Sequence, residues 1–130
     1  MANPNIVSVS SIKGESVGYN LSSTTTTTLL TVASNKVVKV NRITCANVDG
    51  SSAADLSLSV VKANFTPDGI SDFDTSGTFF IAKTVSVPAD ATLVVLDTPI
   101  YLMEGDVLKG GASAASDLDL IISYESIDDA

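Results

Sequence analysis

The sequence predicts an all-β fold: a single antiparallel β-sandwich, jelly-roll or immunoglobulin-like, of about eight strands with a short N-terminal arm. Three observations carry this. From about Thr24 to Tyr124, short segments rich in Val, Ile, Thr and aromatics alternate with clusters of Gly, Asn, Asp, Ser and Pro, the punctuation of a sandwich or barrel. No stretch of helical length repeats its apolar residues at about 3.6 positions. The 130 residues are 45% hydrophobic, which suits one domain with a core that needs no metal or disulfide.

Residues 1–22 read as an arm or edge segment and 23–130 as the sandwich. Ile6 to Ile12 is an extended string with Val7 and Val9 on one side and Ser8 and Ser10 on the other. It suits an edge strand or an arm lying on a neighbouring subunit, and Lys13-Gly14-Glu15-Ser16 then reads as a turn. The five threonines Thr24 to Thr28 lead into Leu29-Leu30-Thr31-Val32. Because β-branched Thr favours a pleated surface, this run is expected to be a strand with a hydroxyl-rich exposed face. A turn at Ala33–Lys36 feeds Val37 to Val48, where Val38 and Val40 share one parity while Ile43 and Cys45 have the other. The inward face therefore switches near Asn41-Arg42, as at a β-bulge or a bend between sheets.

Asp49-Gly50-Ser51-Ser52 is the next turn signal. Leu56, Leu58 and Val60 then alternate with Asp55, Ser57 and Ser59 as a one-sided strand. Thr66 to Gly77 is the longest polar interruption and reads as a projecting loop. Phe79, Ile81, Val85 and Val87 share a core parity in the strand that Pro88-Ala89-Asp90 ends. Ala91 to Asp97 is nearly all apolar, as in a strand buried on both sides, and Thr98-Pro99 breaks it before Ile100-Tyr101-Leu102. Glu104-Gly105-Asp106 is a turn before Val107-Leu108, and Gly110-Gly111 reads as permitting another. In the last strand Leu118, Leu120, Ile122 and Tyr124 alternate with Asp117, Asp119, Ile121 and Ser123, the most regular pattern in the chain.

Composition disfavours several kinds of chemistry. Histidine is absent, which removes the commonest general base and zinc ligand. The single cysteine, Cys45, lies beside Ala and Thr in a strand pattern and reads as a small buried hydrophobe. The net charge is −8, and the seven basic residues are scattered, so nucleic acid is not an expected partner. The one grouping, Lys36, Lys39 and Arg42, reads as a solvated strand. No apolar run reaches the roughly 20 residues of a membrane-spanning helix, so no membrane partner is expected either. The N-terminus lacks the basic and apolar regions of a secretory leader.

Asp68, Asp72 and Asp74 are the best cation ligands on offer, but their spacing lacks the EF-hand register and its terminal glutamate. They read as a solvated acidic loop. Asp117 and Asp119 fall on the outer face of their strand, unlike a carboxylate pair in a cleft. No nucleophile elbow, P-loop or dinucleotide fingerprint occurs, and no cofactor is expected. Phe79-Phe80 sends its rings to opposite faces, which leaves Phe80 to anchor a contact between subunits unless both faces are covered.

The segments Lys36 to Val40, Thr84 to Val95, Pro99 to Asp106 and Leu118 to Glu125 resemble small virion structural proteins of tailed bacteriophages, especially marine and cyanobacterial phages. The resemblance spans about three quarters of the chain as a pattern of strands and turns. It implies a non-enzymatic virion protein, made in the host cytoplasm. Such a protein decorates or cements a capsid, with neck, collar or tail components as the alternative. It implies a homo-oligomer, a trimer first, bound to virion proteins such as the major capsid protein. The expected contacts are Ile6, Val7 and Val9 in the arm, Asp72 and Phe73 in the 66–77 loop, and Phe80. Removing residues 1–12 is expected to weaken particle binding and spare the fold. From another class, a carbohydrate- or host-surface-binding module also fits.

Overall fold

The computed structural model describes residues 9–63 and 76–129. Nine strands follow one another: β1 Val9–Asn20, β2 Thr27–Thr31, β3 Lys36–Asn47, β4 Ala54–Lys62, β5 Gly77–Val87, β6 Thr92–Leu96, β7 Ile100–Leu102, β8 Val107–Ala112 and β9 Leu118–Asp129. One sheet has the order β1-β9-β3-β6, with β7 also on β3, and the other has the order β2-β8-β4-β5. Every pairing is antiparallel.

The pairings are nested: β1 with β9, β2 with β8, β3 with β6 and β7, β4 with β5. The chain is thus one long hairpin, with its tip between β4 and β5, rolled so that β9 also meets β3 and β8 also meets β4. This is the winding of a jelly roll, not of an immunoglobulin domain.

The core lies between the sheets. β9 contributes Leu118, Leu120, Ile122 and Tyr124, while Ile121 stands 56% exposed on the outer face. β4 answers with Ala54, Leu56, Leu58 and Val60. Each fully buried Leu or Ile contributes about 1.5–3 kcal/mol of transfer free energy, so the alternation fixes which face of each strand turns inward.

The parity switch in β3 is a bulge. The pairing with β9 steps from Val40–Tyr124 to Arg42–Ser123, leaving Asn41 as the extra residue. Val38 and Val40 before it, and Ile43 and Cys45 after it, all reach the core. Deleting Asn41 therefore regularises the ladder and keeps both halves in phase, whereas deleting Thr44 turns either Ile43 or Cys45 outward. The Asn41 deletion is expected to yield a folded protein by circular dichroism and a cooperative melt, and the Thr44 deletion an unfolded or insoluble one.

Several expectations need correction. Lys13–Ser16 is no turn: it runs inside β1, which pairs with β9 from end to end as the edge of its sheet. Since residues 9–12 belong to that ladder, a truncation that leaves β1 whole stops at residue 8. The threonine run is a strand only from Thr27, because Ser23–Thr25 form a bend held by the Ser23 and Thr25 hydroxyls. Ala91–Asp97 is not buried on both sides. β6 is an edge strand whose Val94 is exposed, and β6 and β7 together flank β3, separated at Thr98-Pro99, where proline can donate no ladder hydrogen bond.

Gly110-Gly111 makes no turn but sits inside β8, between β2 and β4. A Cβ on Gly110 would lie 3.0 Å from Leu29 Cδ1 and 3.5 Å from Leu58 Cδ1. The glycine is there for close packing across the core.

The β5 parity holds at Val85 and Val87, opposite Leu56 and Ala54, and Ile81 packs against the core, but the strand between them is irregular. Its register with β4 shifts between Leu56 and Leu58 and again between Leu58 and Ser59. These two bulges bring Ala82 rather than Ile81 opposite Leu58. Phe79 keeps the inward side, opposite Val60, but is 43% exposed. It lies on an outer strand, where the facing sheet no longer covers it. Gly77, expected in the projecting loop, begins β5.

Candidate functional site

Of the contact residues expected from the sequence, Ile6, Val7, Asp72 and Phe73 lie outside the described residues, as do Asp68 and Asp74. Val9 opens β1, half-buried and paired with Asp129. Phe80 is 53% exposed on the outer side of β5, with Lys83 Nζ 5.1 Å from its ring centroid. That cation–π contact steadies the ring without covering it.

A second surface was not legible in advance: the outer face of the β1-β9-β3-β6 sheet. Register places Gly18, Ile121, Thr44 and Val94 in one row across four strands, and Val48 follows β3. Ile121, Val94 and Val48 are exposed. The charges nearest the row are taken up in polar pairs, Arg42 with Asp97 at 3.4 Å and Asp119 with Asn20. What remains is an exposed row in which Ile121 and Val94 flank Thr44.

The third feature is a groove of about 220 Å³ on the outer face of the other sheet. Thr24 and Thr26 form one wall, Ser57 and Gly111 the floor, and Thr84 the far wall, with Asp55 and Ser113 at one end. Gly111 lets the threonine bend approach the sheet, since a Cβ there would lie 3.6 Å from Thr26 Cα. Thr84 holds φ at +49°, unusual for a β-branched residue, and its N–H donates to Ser57 Oγ at 3.0 Å. Asp55 N–H donates to Ser113 Oγ at 2.7 Å. The lining is hydroxyl, one carboxylate and no cation, so the groove suits neutral polyols and repels anions.

Elsewhere the polar groups serve the fold. Asp106 is fully buried: Met103 N–H and Ala63 N–H each donate to its carboxylate at 2.8 Å, and Lys62 pairs with it. Its burial was missed because Glu104-Gly105-Asp106 reads as a surface turn. Buried Asn47 donates to Ser52 O and Val87 O and accepts from Asp49 N–H. Asp128 joins three strands by pairing with Lys36 of β3 and accepting from Ser11 Oγ of β1. These hydrogen bonds and the Lys36 charge hold its carboxyl below the ordinary 3.8. Its contribution is complete above that value and is lost as pH falls through the lower, folded one.

Cys45 is fully buried, and its thiol is pushed up to about 11, chiefly by burial and further by the Asp119 carboxylate. Native protein at pH 8 is therefore expected to resist iodoacetamide and to react in urea, which mass spectrometry of the modified chain reads directly. Among the described residues, no three or more His, Cys, Asp or Glu side chains gather as a metal site. Among those residues, no helix is long and apolar enough to cross a membrane.

Compared with known proteins, the chain matches no family model, no curated protein and no solved structure.

Proposed function

We propose that this chain is a non-enzymatic structural protein of a tailed-phage virion, a capsid decoration or cement protein that stabilises the shell by protein–protein contacts. The observation that carries the reading is the exposed row of Ile121, Thr44 and Val94, with Val48 beyond it, on the outside of a jelly roll. A row of this kind suits a broad protein contact better than a small ligand. Jelly rolls serve as viral capsid and lectin domains, and the step from fold to role here is analogy. The net charge of −8 favours a partner surface that is basic.

Quantitative mass spectrometry of density-banded particles from the source virus tests this. A decoration protein is present in proportion to the major capsid protein. A few copies per particle make it a neck, collar or tail component instead, and absence from the particles overturns the virion reading.

The hydroxyl-lined groove favours a second reading, a module that binds neutral saccharides. No aromatic platform lines it, so hydrogen bonds alone would hold the sugar and binding would be weak. Titration with glucose and with galactose, followed by amide shifts, tests it. Saturable movement of Thr26, Ser57, Thr84 and Gly111 supports this reading, and unmoved amides at high sugar exclude both sugars as ligands.

A further inference from the structure

Among the described residues, β1 meets no strand on its outer edge from Ser11 to Asn20, a long and largely exposed stretch that pairs with β9 on its other side. An edge of that length is a template for another strand unless something blocks it. β1 carries two charges, Lys13 and Glu15, of opposite sign and two residues apart on the same face. Between them lies Gly14, where an added Cβ would meet nothing within 4 Å. Its φ is not positive either, so neither packing nor backbone conformation within the chain calls for glycine there. A side chain there would project from the sheet face and not along the hydrogen-bonding direction, so the glycine leaves the edge of the ladder unshielded.

We propose that β1 pairs antiparallel with β1 of a second copy, about a two-fold axis at Gly14. In this register Lys13 faces Glu15 of the partner subunit, and Glu15 faces the partner's Lys13. A shift of one pairing step sets Lys13 against Lys13 of the partner subunit, or Glu15 against the partner's Glu15. Like charges directly opposite repel, so the two residues disfavour both neighbouring symmetric registers and favour the one centred on Gly14. Residues 11–17 then pair symmetrically through about six to eight main-chain hydrogen bonds. The two β1-β9-β3-β6 sheets become one continuous sheet, and the exposed rows stay free on its outer face. The contact is isologous and closes at two copies, so it assigns a dimer where the sequence reading favoured a trimer. It does not depend on which particle the chain belongs to.

The test is a charge-exchange set measured by sedimentation equilibrium and native mass spectrometry. Wild type is expected to be a concentration-dependent dimer. Lys13→Glu and Glu15→Lys, each checked by thermal melting for an intact fold, weaken self-association by about tenfold, because each places two like-charge pairs in the ladder. Mixed in equal amounts, the two variants form a heterodimer in preference to either homodimer, and the double variant K13E/E15K dimerises like wild type. The differences shrink with added salt. A wild type that stays monomeric at high concentration overturns the proposal, and the two charges are then edge blockers. A trimer, or a dimer indifferent to these exchanges, overturns it as well.

Discussion

Replacing Asp106 by alanine is expected to lower the unfolding free energy by about 3–5 kcal/mol, the cost of removing one member of a buried ion pair. The carboxylate is fully buried and satisfies two backbone N–H groups, Met103 and Ala63, besides pairing with Lys62. Truncation leaves both donors without their acceptor, and each buried orphan costs about 1–3 kcal/mol. The Lys62 side chain is 21% exposed, so water recovers part of its solvation and holds the total near the lower end of the sum. Asp106→Asn keeps one acceptor oxygen and loses the charge, so it is expected to cost roughly half as much. Urea titrations of the three proteins at neutral pH read this order. Equal stability of D106A and wild type would mean the carboxylate does not bind the β7–β8 turn to the end of β4.

The second large effect contrasts neighbours in β9. Leu120 is fully buried and lies between Tyr19 of β1 and Cys45 of β3, whereas Ile121 is 56% exposed. Leu120→Ala leaves a cavity between two packed sheets and is expected to cost about 3–5 kcal/mol. Ile121→Ala is expected to stay within about 0.5 kcal/mol, because its side chain is already in water. If Ile121 supports the particle contact, that same substitution weakens particle binding while leaving the chemical denaturation curve unmoved. Comparable losses of stability at both positions would mean the two faces of β9 are wrongly assigned.

How far the fold was legible follows from where each signal resides. β4 and β9 were readable because a strand with one covered face records its surroundings in its own alternation. The Asn41 bulge was readable for the same reason, since an extra residue shifts parity and Val38–Val40 and Ile43–Cys45 preserve that shift. In β5 the inward parity of Phe79, Val85 and Val87 was readable, but its two bulges were not, because they lie among Ile81, Ala82, Lys83 and Thr84, where the apolar residues do not mark the change of phase. Its position at the sheet edge also leaves Phe79 uncovered despite an inward parity.

The remaining misses share one cause: the deciding partner is remote in sequence. Gly110 and Gly111 carry a turn signal, yet Leu29 and Thr26 from the far end of the chain press against them. Asp106 looks like a surface acid until Lys62 and Ala63, more than forty residues earlier, reach its carboxylate. Of the candidate site, Phe80 was legible as an exposed ring on β5. The exposed row was not, because Ile121, Thr44 and Val94 become neighbours only when β9, β3 and β6 align.

Cryo-electron microscopy of the native particle tests the central claim most directly. Density for this jelly roll is expected in many symmetry-related copies on the shell, with the face bearing Ile121 and Val94 against the capsid. A particle whose shell carries no such density would contradict that claim.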